Sequence, residues 1–405
     1  MGKITKVCVI MNPISGGGKA PALINKGTSP NCSSGAYKVP TKSFLDVMAE
    51  INPKIEVKVV ETKKAKDAVE MAQKYIAEGW LVIGSGGDGT ACETVQGTLL
   101  AAEKQGTKKL CGYISAGSMN FFAISAGIES PVKVAEAIRD NSSVSIGIRS
   151  IQDSSGTLPK PLYSVEAIHF GIAPAAIRFM DSCRTGWKSK VFGPAAGLKM
   201  GAAFAAIFPS MPRHHEHVKL TITPPKGAPY TIEGKFAWLS FNGRHPYDGT
   251  LDKDSLGWFN YITVDNFPYL PRYIQMVDPD PWESTGGFAR WMEHSVPFLK
   301  VEIEPLSGLE PDGSWYCGHD GDVLELNGKV TITNHPNATK MIAPSPIKVN
   351  PAFVGKRRLP ASQKAAESNR AFGGDETEVD NGCCKSTMSV IFSRSPSTGK
   401  ATELV

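Results

Sequence analysis

The sequence predicts an α/β N-terminal domain with a parallel sheet, followed by a C-terminal antiparallel β-sandwich domain, with a cleft between the two. Three observations predict this fold class. Strand-like and helix-like segments alternate over residues 1–145, which is typical of a parallel sheet covered by helices. Short alternating runs separated by turn residues fill residues 146–350, as expected for antiparallel strands. The total of 405 residues is enough for two domains of roughly 100–200 residues each.

The first domain contains four apolar or alternating segments that predict strands. They lie at 3–11, 55–60, 80–83 and 111–115. Apolar residues at spacings of three and four predict helices near 42–50, 64–78, 91–104 and 131–139. Each strand is therefore followed by a loop and a helix.

The second domain is marked by runs such as HVKLTITPP at 217–225 and YTIEGKFAWLSF at 230–241. One apolar helix is predicted at about 186–208, and its part from Gly197 to Phe208 fits either an acyl-chain pocket or a core helix. Residues 351–405 have little periodicity and few aromatic residues, which predicts a disordered tail.

Composition and charge exclude several classes of protein. The net charge is +5 with scattered basic residues, so we expect no nucleic-acid binding, although transient contact with an anionic membrane surface is compatible with this charge. No segment reaches the ~18 apolar residues of a membrane-spanning helix. The eight cysteines show no C-x-x-C spacing, which favours reduced thiols and a cytoplasmic protein. The Cys383-Cys384 pair in the tail is either unmodified or acylated.

A glycine-rich loop, Asn12-Pro13-Ile14-Ser15-Gly16-Gly17-Gly18-Lys19, follows the first predicted strand. It is not a Walker A motif, because Pro13 replaces the first glycine and Ala20 follows Lys19 where Ser or Thr would bind magnesium. Small residues still allow several backbone N–H groups to approach phosphate oxygens. The alternative is an ordinary flexible loop.

A second loop, Gly84-Ser85-Gly86-Gly87-Asp88-Gly89-Thr90, follows the third predicted strand. Its glycines satisfy the dinucleotide pattern G-x-G-x-x-G, but Asp88 would repel a closely wrapped pyrophosphate. A carboxylate beside phosphates is better suited to act as a base for a hydroxyl or as a magnesium ligand. The loop therefore favours phosphoryl transfer, and the alternative is that Asp88 caps the next helix.

Two further loops complete the set of motifs. Ser115-Ala116-Gly117-Ser118-Met119-Asn120 follows the fourth predicted strand, so three small-residue loops leave one edge of a parallel sheet and meet in one crevice. Far downstream, Gly318-His319-Asp320-Gly321-Asp322 has the sequence of a tight hairpin turn.

Together these segments resemble the diacylglycerol kinase catalytic-domain family of lipid kinases, and most closely its sphingosine kinase branch. The Asn12-Pro13 loop resembles the first nucleotide loop of that family, and GGDGTACETVQG (86–97) resembles its GGDGTxxExxxG helix start. SAGSMNFFAIS (115–125) is similar to the family's P-A-G-S-x-N-x-x-A segment.

The resemblance implies a kinase that uses ATP and Mg²⁺ to phosphorylate a lipid hydroxyl. It implies that Asp88 is the general base, and Asp88 is also the candidate magnesium ligand. The implied nucleotide-binding residues are Asn12, Pro13, Ser15, Gly16, Gly18, Thr62, Gly86, Gly87, Gly89, Thr90, Ser118, Asp320, Gly321 and Asp322.

The chain departs from the sphingosine kinase pattern where the polar head of the lipid would bind. Sphingosine kinases carry an Asp there, whereas FGIAPAA (170–176) offers Pro174 and Ala175. Glu166 and Asp181 are the candidate replacements. The phosphate-binding arginines of the family have no clear equivalents, and Arg184, Lys188 and Lys190 are the nearest candidates.

The expected function is phosphorylation of a sphingoid base, converting sphingosine to sphingosine 1-phosphate. The alternatives are a diacylglycerol or ceramide kinase, an NAD kinase, which also uses a GGDGT loop, and a catalytically degenerate lipid-binding or scaffold protein. The expected partners are the lipid substrate and, transiently, a membrane surface; a homodimer is left open.

Overall fold

The computed structural model describes residues 4–26, 42–106, 110–117, 121–128, 130–158, 161–182, 216–243, 251–252, 254–263, 294–307, 310 and 313–344. The predicted helix at 186–208 and the predicted tail at 351–405 lie outside the described residues.

The N-terminal part alternates strands and helices. Its elements are β1 (Lys6–Met11), a 3-10 turn (Ser15–Gly17), α1 (Lys19–Pro21), a π turn (Ala22–Lys26), α2 (Phe44–Ile51), β2 (Glu56–Glu61), α3 (Asp67–Ala77), β3 (Leu81–Gly86), α4 (Asp88–Gln105), β4 (Leu110–Ser115), α5 (Phe121–Ser125) and α6 (Pro131–Arg139). The predicted order of elements is confirmed. The helix expected to start near residue 91 begins earlier, at Asp88, because Gly87 is its N-cap.

The C-terminal part is rich in strands. Its elements are β5 (Ser143–Asp153), β6 (Leu162–Ser164), β7 (Ala167–Gly171), α7 (Ile172–Ser182), β8 (Glu216–Thr223), β9 (Tyr230–Asn242), β10 (Gly257–Thr263), β11 (His294–Phe298), β12 (Lys300–Ser307), β13 (Ser314–His319), β14 (Asp322–Asn327) and β15 (Val330–Ile342). The proposed boundary between residues 145 and 146 lies inside β5.

The described strands belong to one mixed sheet, whose order is β14-β13-β7-β9-β8-β12-β15-β4-β3-β1-β2. The strands β2, β1, β3 and β4 pair in parallel, which confirms the predicted parallel sheet. The C-terminal strands pair antiparallel, and β15 joins the two parts by pairing in parallel with β4. The strands β5, β6, β10 and β11 branch from this path.

Helices cover both faces of the parallel strands, as β1 shows. Val7 and Val9 pack into a core shared with α2 and α6, whereas Cys8 and Ile10 pack against α3. A strand with helices on both faces needs apolar side chains on both faces, so the run VCVIM is apolar throughout.

The antiparallel strands share a second core. Phe170 of β7 stacks on Trp315 of β13 at 4.9 Å between ring centroids, and Phe241 of β9 stacks on Phe259 of β10 at 4.9 Å. Aromatic pairs of this kind add stability beyond their buried area. The strand β7 packs into this core through Ile168 and Phe170, and the turn that precedes it belongs to the candidate site described below.

One buried carboxyl group lies among these strands. Glu216, the first residue of β8, is buried. Its Oε2 has no hydrogen-bond partner among the described residues. Burial raises the pKa of Glu216 from 4.5 to about 7, because the charged form loses its hydration. The folded protein therefore holds this proton more tightly than the unfolded chain does.

Replacing Glu216 with Gln is expected to make stability less dependent on pH. A raised carboxyl pKa contributes stability that is fully present below pH 4.5 and is lost as pH rises through about 7. Between pH 5 and pH 8 we expect the wild type to lose about 2–3 kcal/mol of unfolding free energy relative to Glu216→Gln. Urea denaturation at four pH values measures this difference, with the exposed Glu233→Gln as control. If the unfolding free energies of the wild type and Glu216→Gln changed equally with pH, the raised pKa of Glu216 would be contradicted.

Candidate active site

Three loops leave the carboxyl ends of β1, β3 and β4, which are neighbours in the sheet. The backbone N–H of Asn12 donates to the carbonyl of Ser85 at 2.8 Å, and the N–H of Ala116 donates to the carbonyl of Gly86 at 2.6 Å. The hydroxyl of Tyr113 also donates to the Gly86 carbonyl at 2.8 Å. The loops predicted to meet at one edge are thus joined directly, in the position where ligands bind to open α/β sheets.

The first loop is fixed by its own polar side chains. The Oδ1 atom of Asn12 accepts a hydrogen bond from the N–H of Ile14 at 3.2 Å, and its amide donates to Oγ1 of Thr90 at 3.4 Å. The Oγ atom of Ser15 accepts a hydrogen bond from the N–H of Gly87 at 3.2 Å. These bonds hold the loop against the start of α4, so it is an ordered part of the site.

Two glycines allow this close approach. Gly16 has a left-handed φ of +59°, and a Cβ atom there would lie closer than 3.0 Å to the carbonyl oxygen of Ala116. A Cβ on Gly86 would lie closer than 3.0 Å to the side chain of Thr90. These positions need glycine for packing between loops, in addition to any contact with phosphate.

Asp88 is the first residue of α4 and is half-buried. Gly87 occupies the N-cap position, so the alternative that Asp88 is the cap of this helix is wrong. The Oδ1 atom of Asp88 accepts a hydrogen bond from the N–H of Phe122, at the start of α5, at 3.4 Å. A carboxylate in the first turn is stabilised by the helix dipole, and the N–H groups of that turn favour anions nearby.

The turn between β13 and β14 contributes Asp320, which is 8% exposed. Its Oδ1 atom accepts hydrogen bonds from the Ser164 hydroxyl at 2.7 Å, the Glu166 N–H at 2.9 Å and the Ala167 N–H at 3.0 Å, and its Oδ2 atom accepts one from the Val165 N–H at 2.9 Å. These bonds also explain why the segment LYSVEAIHFGI, which the sequence presents as one alternating run, is divided into β6 and β7. The N–H groups of residues 165–167 bond to a side chain, so they are not available to a neighbouring strand.

Burial raises the pKa of Asp320, but the neighbouring His319 charge and the hydrogen bonds outweigh this effect, so the pKa is lowered overall. Asp320 therefore stays ionised, with both of its oxygens engaged by protein donors. The prediction that Asp320 contacts the nucleotide stays untested.

The charges of three carboxylates act on one buried thiol of α4. Burial raises the pKa of the Cys92 thiol well above its usual range, and the charges of Asp320, Glu166 and Asp88 raise it further. Cys92 lies one helical turn after Asp88. One helical turn further on, Oε1 of Gln96 accepts a hydrogen bond from the N–H of Tyr163 at 3.3 Å, so β6 packs against this helix.

Asp322 is exposed, and its negative charge raises the pKa of Glu93, the residue of α4 that follows Cys92. Burial raises the pKa of Glu93, the Asp322 charge adds to this effect, and hydrogen bonds from the backbone of Lys66 and Ala68 oppose it.

The remaining predicted residues are placed as follows. Thr62 directly follows β2, and its N–H donates to the carbonyl of Met11 at 2.9 Å, so it lies at the same strand edge. Gly89 and Gly321 are exposed, and Gly321 has a φ of +93° that suits a turn. Pro13 and Gly18 lie in the first loop. The nucleotide-binding roles of these residues stay predictions.

The predicted substrate-side residues are only partly described. Glu166 lies in the turn between β6 and β7, whereas Pro174 and Ala175 lie within α7, a helix that the sequence did not predict. Ser118, Arg184, Lys188 and Lys190 lie outside the described residues, and so does the side chain of Asp181. Sequence reasoning missed Tyr113, Cys92 and Arg149, because apolar or isolated residues inside strands and helices carry no motif.

Within the described part of the chain, no group of three or more His, Cys, Asp or Glu side chains is arranged to hold a metal ion. Magnesium is usually held by one or two carboxylates together with substrate phosphates, and the Asp88 carboxylate beside the glycine-rich loops fits that requirement. Among the described helices, none is both long and apolar enough to cross a membrane.

Comparison with protein families decides the kind of domain. Residues 30–151, which include β3, the Asp88 loop, α4 and the loop after β4, match the family model described as the diacylglycerol kinase catalytic domain. This match spans 122 of the 405 residues, so it gives the chain a segment similar to that catalytic domain. The first loop, at 12–19, and the turn at 320–322 lie outside the residues that match this domain. No curated protein matches the chain.

Solved structures agree with the diacylglycerol kinase catalytic domain at the level of the fold. Three structures of proteins from Bacillus anthracis str. Sterne that carry the name diacylglycerol kinase are similar to this chain, with TM-scores of 0.57, 0.57 and 0.53 and identities of 14%, 15% and 15%. Each comparison covers 86% of this chain and 100% of the other chain. The fold therefore extends well beyond residues 30–151.

Proposed function

We propose that this protein is an ATP-dependent lipid kinase that phosphorylates the hydroxyl group of a sphingoid base. The observation that carries the proposal is the position of Asp88, in the first turn of α4, where three glycine-containing loops meet. The similarity of residues 30–151, which include Asp88, to the diacylglycerol kinase catalytic domain supports the same chemistry.

The nucleotide phosphates are proposed to bind at the ends of β1, β3 and β4. Backbone N–H groups of the loops and the first turn of α4 are suited to anions, and the glycines keep side chains away from the phosphates. Mg²⁺ would be held by the phosphates and by Asp88, and it would neutralise charge on the transferred group.

Asp88 is proposed to accept the proton of the acceptor hydroxyl. The hydroxyl oxygen then forms a bond to the γ-phosphorus, the bond from that phosphorus to the β,γ-bridging oxygen breaks, and ADP leaves with the bonding electrons. The products are the lipid phosphate and ADP. Because the acceptor is a lipid, we propose that the protein acts in the cytoplasm and contacts membrane surfaces transiently.

Two acceptors are supported by different observations. A sphingoid base carries an ammonium group, and Glu166 offers a carboxylate in the turn after β6, the strand that contacts α4 through Tyr163 and Gln96. Pro174 and Ala175 provide no charge where sphingosine kinases carry an Asp, which favours an uncharged acceptor such as diacylglycerol or ceramide. The charge of the head group therefore discriminates between the two.

Transfer of labelled phosphate from ATP to sphingosine, dihydrosphingosine, ceramide, diacylglycerol and NAD in mixed micelles tests the acceptor. We expect sphingosine and dihydrosphingosine to be labelled at least about tenfold faster than ceramide, because ceramide lacks the ammonium group that a carboxylate would bind. Preferred labelling of diacylglycerol or ceramide would support the second candidate. Labelling of NAD alone would contradict a lipid acceptor, and ATP binding without transfer to any acceptor would contradict the kinase.

A further inference from the structure

The turn between β6 and β7, residues 164–167, is held on one side by a buried carboxylate. Asp320 accepts the three consecutive N–H groups of Val165, Glu166 and Ala167, together with the hydroxyl of Ser164, at 2.7 to 3.0 Å. The N–H of Asp320 donates to the carbonyl of Ala167 at 3.0 Å. One side chain therefore satisfies nearly every donor of the turn.

The same turn is held on its other side by a buried cation. Arg149 of β5 is 0% exposed, and its guanidinium donates hydrogen bonds to the carbonyls of Val165 and Glu166, the latter at 3.0 Å. It also donates to the carbonyl of Gly147 at 2.8 Å. The turn thus has its N–H groups bound by an anion and two of its carbonyls bound by a cation.

Burying ionised groups is costly unless each is hydrogen-bonded, so two buried charges directed at one turn require an explanation. The left-handed φ angles of Asp320 (+50°) and Gly321 (+93°) are those that the two-residue hairpin turn between β13 and β14 requires, as the Asp-Gly sequence predicted. Short turns in proteins are commonly satisfied by backbone or water. This arrangement instead fixes the conformation of residues 164–167 closely.

The turn carries Glu166, and the residue that precedes the turn contacts α4. The backbone N–H of Tyr163 in β6 donates a hydrogen bond to Oε1 of Gln96 at 3.3 Å. The strand β6 therefore connects the turn to α4, the helix that begins at Asp88.

We propose that Asp320 and Arg149 are positioning residues, which hold the 164–167 turn, and with it Glu166, in a fixed position relative to Asp88. This inference rests on the proposed function, in which Asp88 is the base and Glu166 faces the acceptor. Both Asp320 oxygens accept hydrogen bonds from the protein, so Asp320 acts on the acceptor side of the reaction through Glu166. Replacement of Asp320 should therefore lower kcat/KM for the acceptor and leave the binding of ATP unchanged.

The test is a double-mutant cycle with Asp320→Asn, Glu166→Gln and the double variant, in the full-length protein. Asp320→Asn places an amide N–H against the donors of the turn, and we expect kcat/KM for the acceptor to fall about 10–100-fold while KM for ATP stays within about twofold. The double variant should be no worse than the worse single variant, because both changes disable the same group.

Asp153→Asn is the matched control. Asp153 is a buried carboxylate that holds another turn, accepting hydrogen bonds from Ser155, Leu158 and Asn327 at 2.7 to 3.3 Å. Its variant should lose stability as Asp320→Asn does and keep the wild-type kcat/KM. If Asp320→Asn does not fold, Ser164→Ala removes one of the bonds and should lower kcat/KM in the same direction by a smaller factor.

Amide hydrogen exchange supplies a readout that needs no kinase activity. In Asp320→Asn, the N–H groups of residues 165–167 should exchange faster than in the wild type, while those of α3 keep their protection. A rise in KM for ATP with unchanged acceptor kinetics, multiplicative effects in the double variant, or unchanged exchange at 165–167 would each overturn the proposal. Absence of phosphate transfer by the wild type would refute the proposed function, and the exchange experiment would still decide whether Asp320 holds the turn.

Discussion

Replacing Asp88 with Asn lowers the rate of phosphate transfer by about 10²–10⁴-fold and leaves the fold intact. Asn has nearly the same shape and keeps a side-chain oxygen that can accept the hydrogen bond from Phe122, but it cannot take a proton from the acceptor hydroxyl. The loss should appear in kcat with the preferred acceptor, while the dissociation constant for ATP without Mg²⁺ changes little. Single-turnover transfer of labelled phosphate, together with the melting temperature of each protein, measures these effects.

The control for this variant is Asp46→Asn. Asp46 lies in the first turn of α2 and is exposed, so its replacement removes the same kind of favourable charge from a helix start. Both variants should therefore lose a similar, small amount of stability, about 0.3–1 kcal/mol. Only Asp88→Asn should lose transfer. Full activity of Asp88→Asn would remove this residue as the base.

The second large effect is expected for Gly16→Ala, compared with Gly18→Ala. Both glycines have left-handed φ angles, +59° and +87°, so alanine is strained at both positions by about 1–2 kcal/mol. Only at Gly16 would the new Cβ collide with the carbonyl oxygen of Ala116, whereas at Gly18 nothing lies within 4 Å. Overpacking costs a further ~1–3 kcal/mol, so the first loop of Gly16→Ala should move away from the loop after β4.

We expect Gly16→Ala to weaken ATP binding by at least about tenfold more than Gly18→Ala does, because it separates two of the three loops that meet at Asp88. Titration calorimetry with ATP measures the affinity, and urea denaturation measures the stability. Equal affinities for the two variants would show that contact between the loops does not shape the nucleotide site.

The sequence was informative wherever function depends on local backbone geometry. The segment at 84–90 predicted a strand end, a tight loop and a helix start, and α4 does begin inside it, at Asp88. The structure of such a segment can be predicted from its sequence, because glycines and a carboxylate at the end of a strand are compatible with few backbone conformations. The side chains of Asn12 and Ser15, which tie the first loop to α4, follow less directly, since their partners are 78 and 72 residues away.

The parts of the site that the sequence did not predict depend on contacts between distant residues. The Asp-Gly-Asp segment at 320–322 has the composition of an ordinary hairpin turn, and nothing local indicates that Asp320 turns inward to residues more than 150 positions earlier. Arg149 likewise lies in an alternating strand, where a basic residue is usually exposed to solvent. Buried polar networks of this kind are specified by the tertiary fold, because each member is stable only when all its partners are in place.

The strand β15 couples the stability of the two hydrophobic cores. Val330 and Ile332 at its start belong to the core of the antiparallel strands, and Met341 and Ile342 at its end belong to the core beneath the parallel sheet. One strand therefore runs through two cores that a flexible linker would leave independent, and its pairing with β5 shifts register once, between His335 and Thr339. We expect local opening of either core to loosen the other, so that residues 4–344 unfold as one cooperative unit.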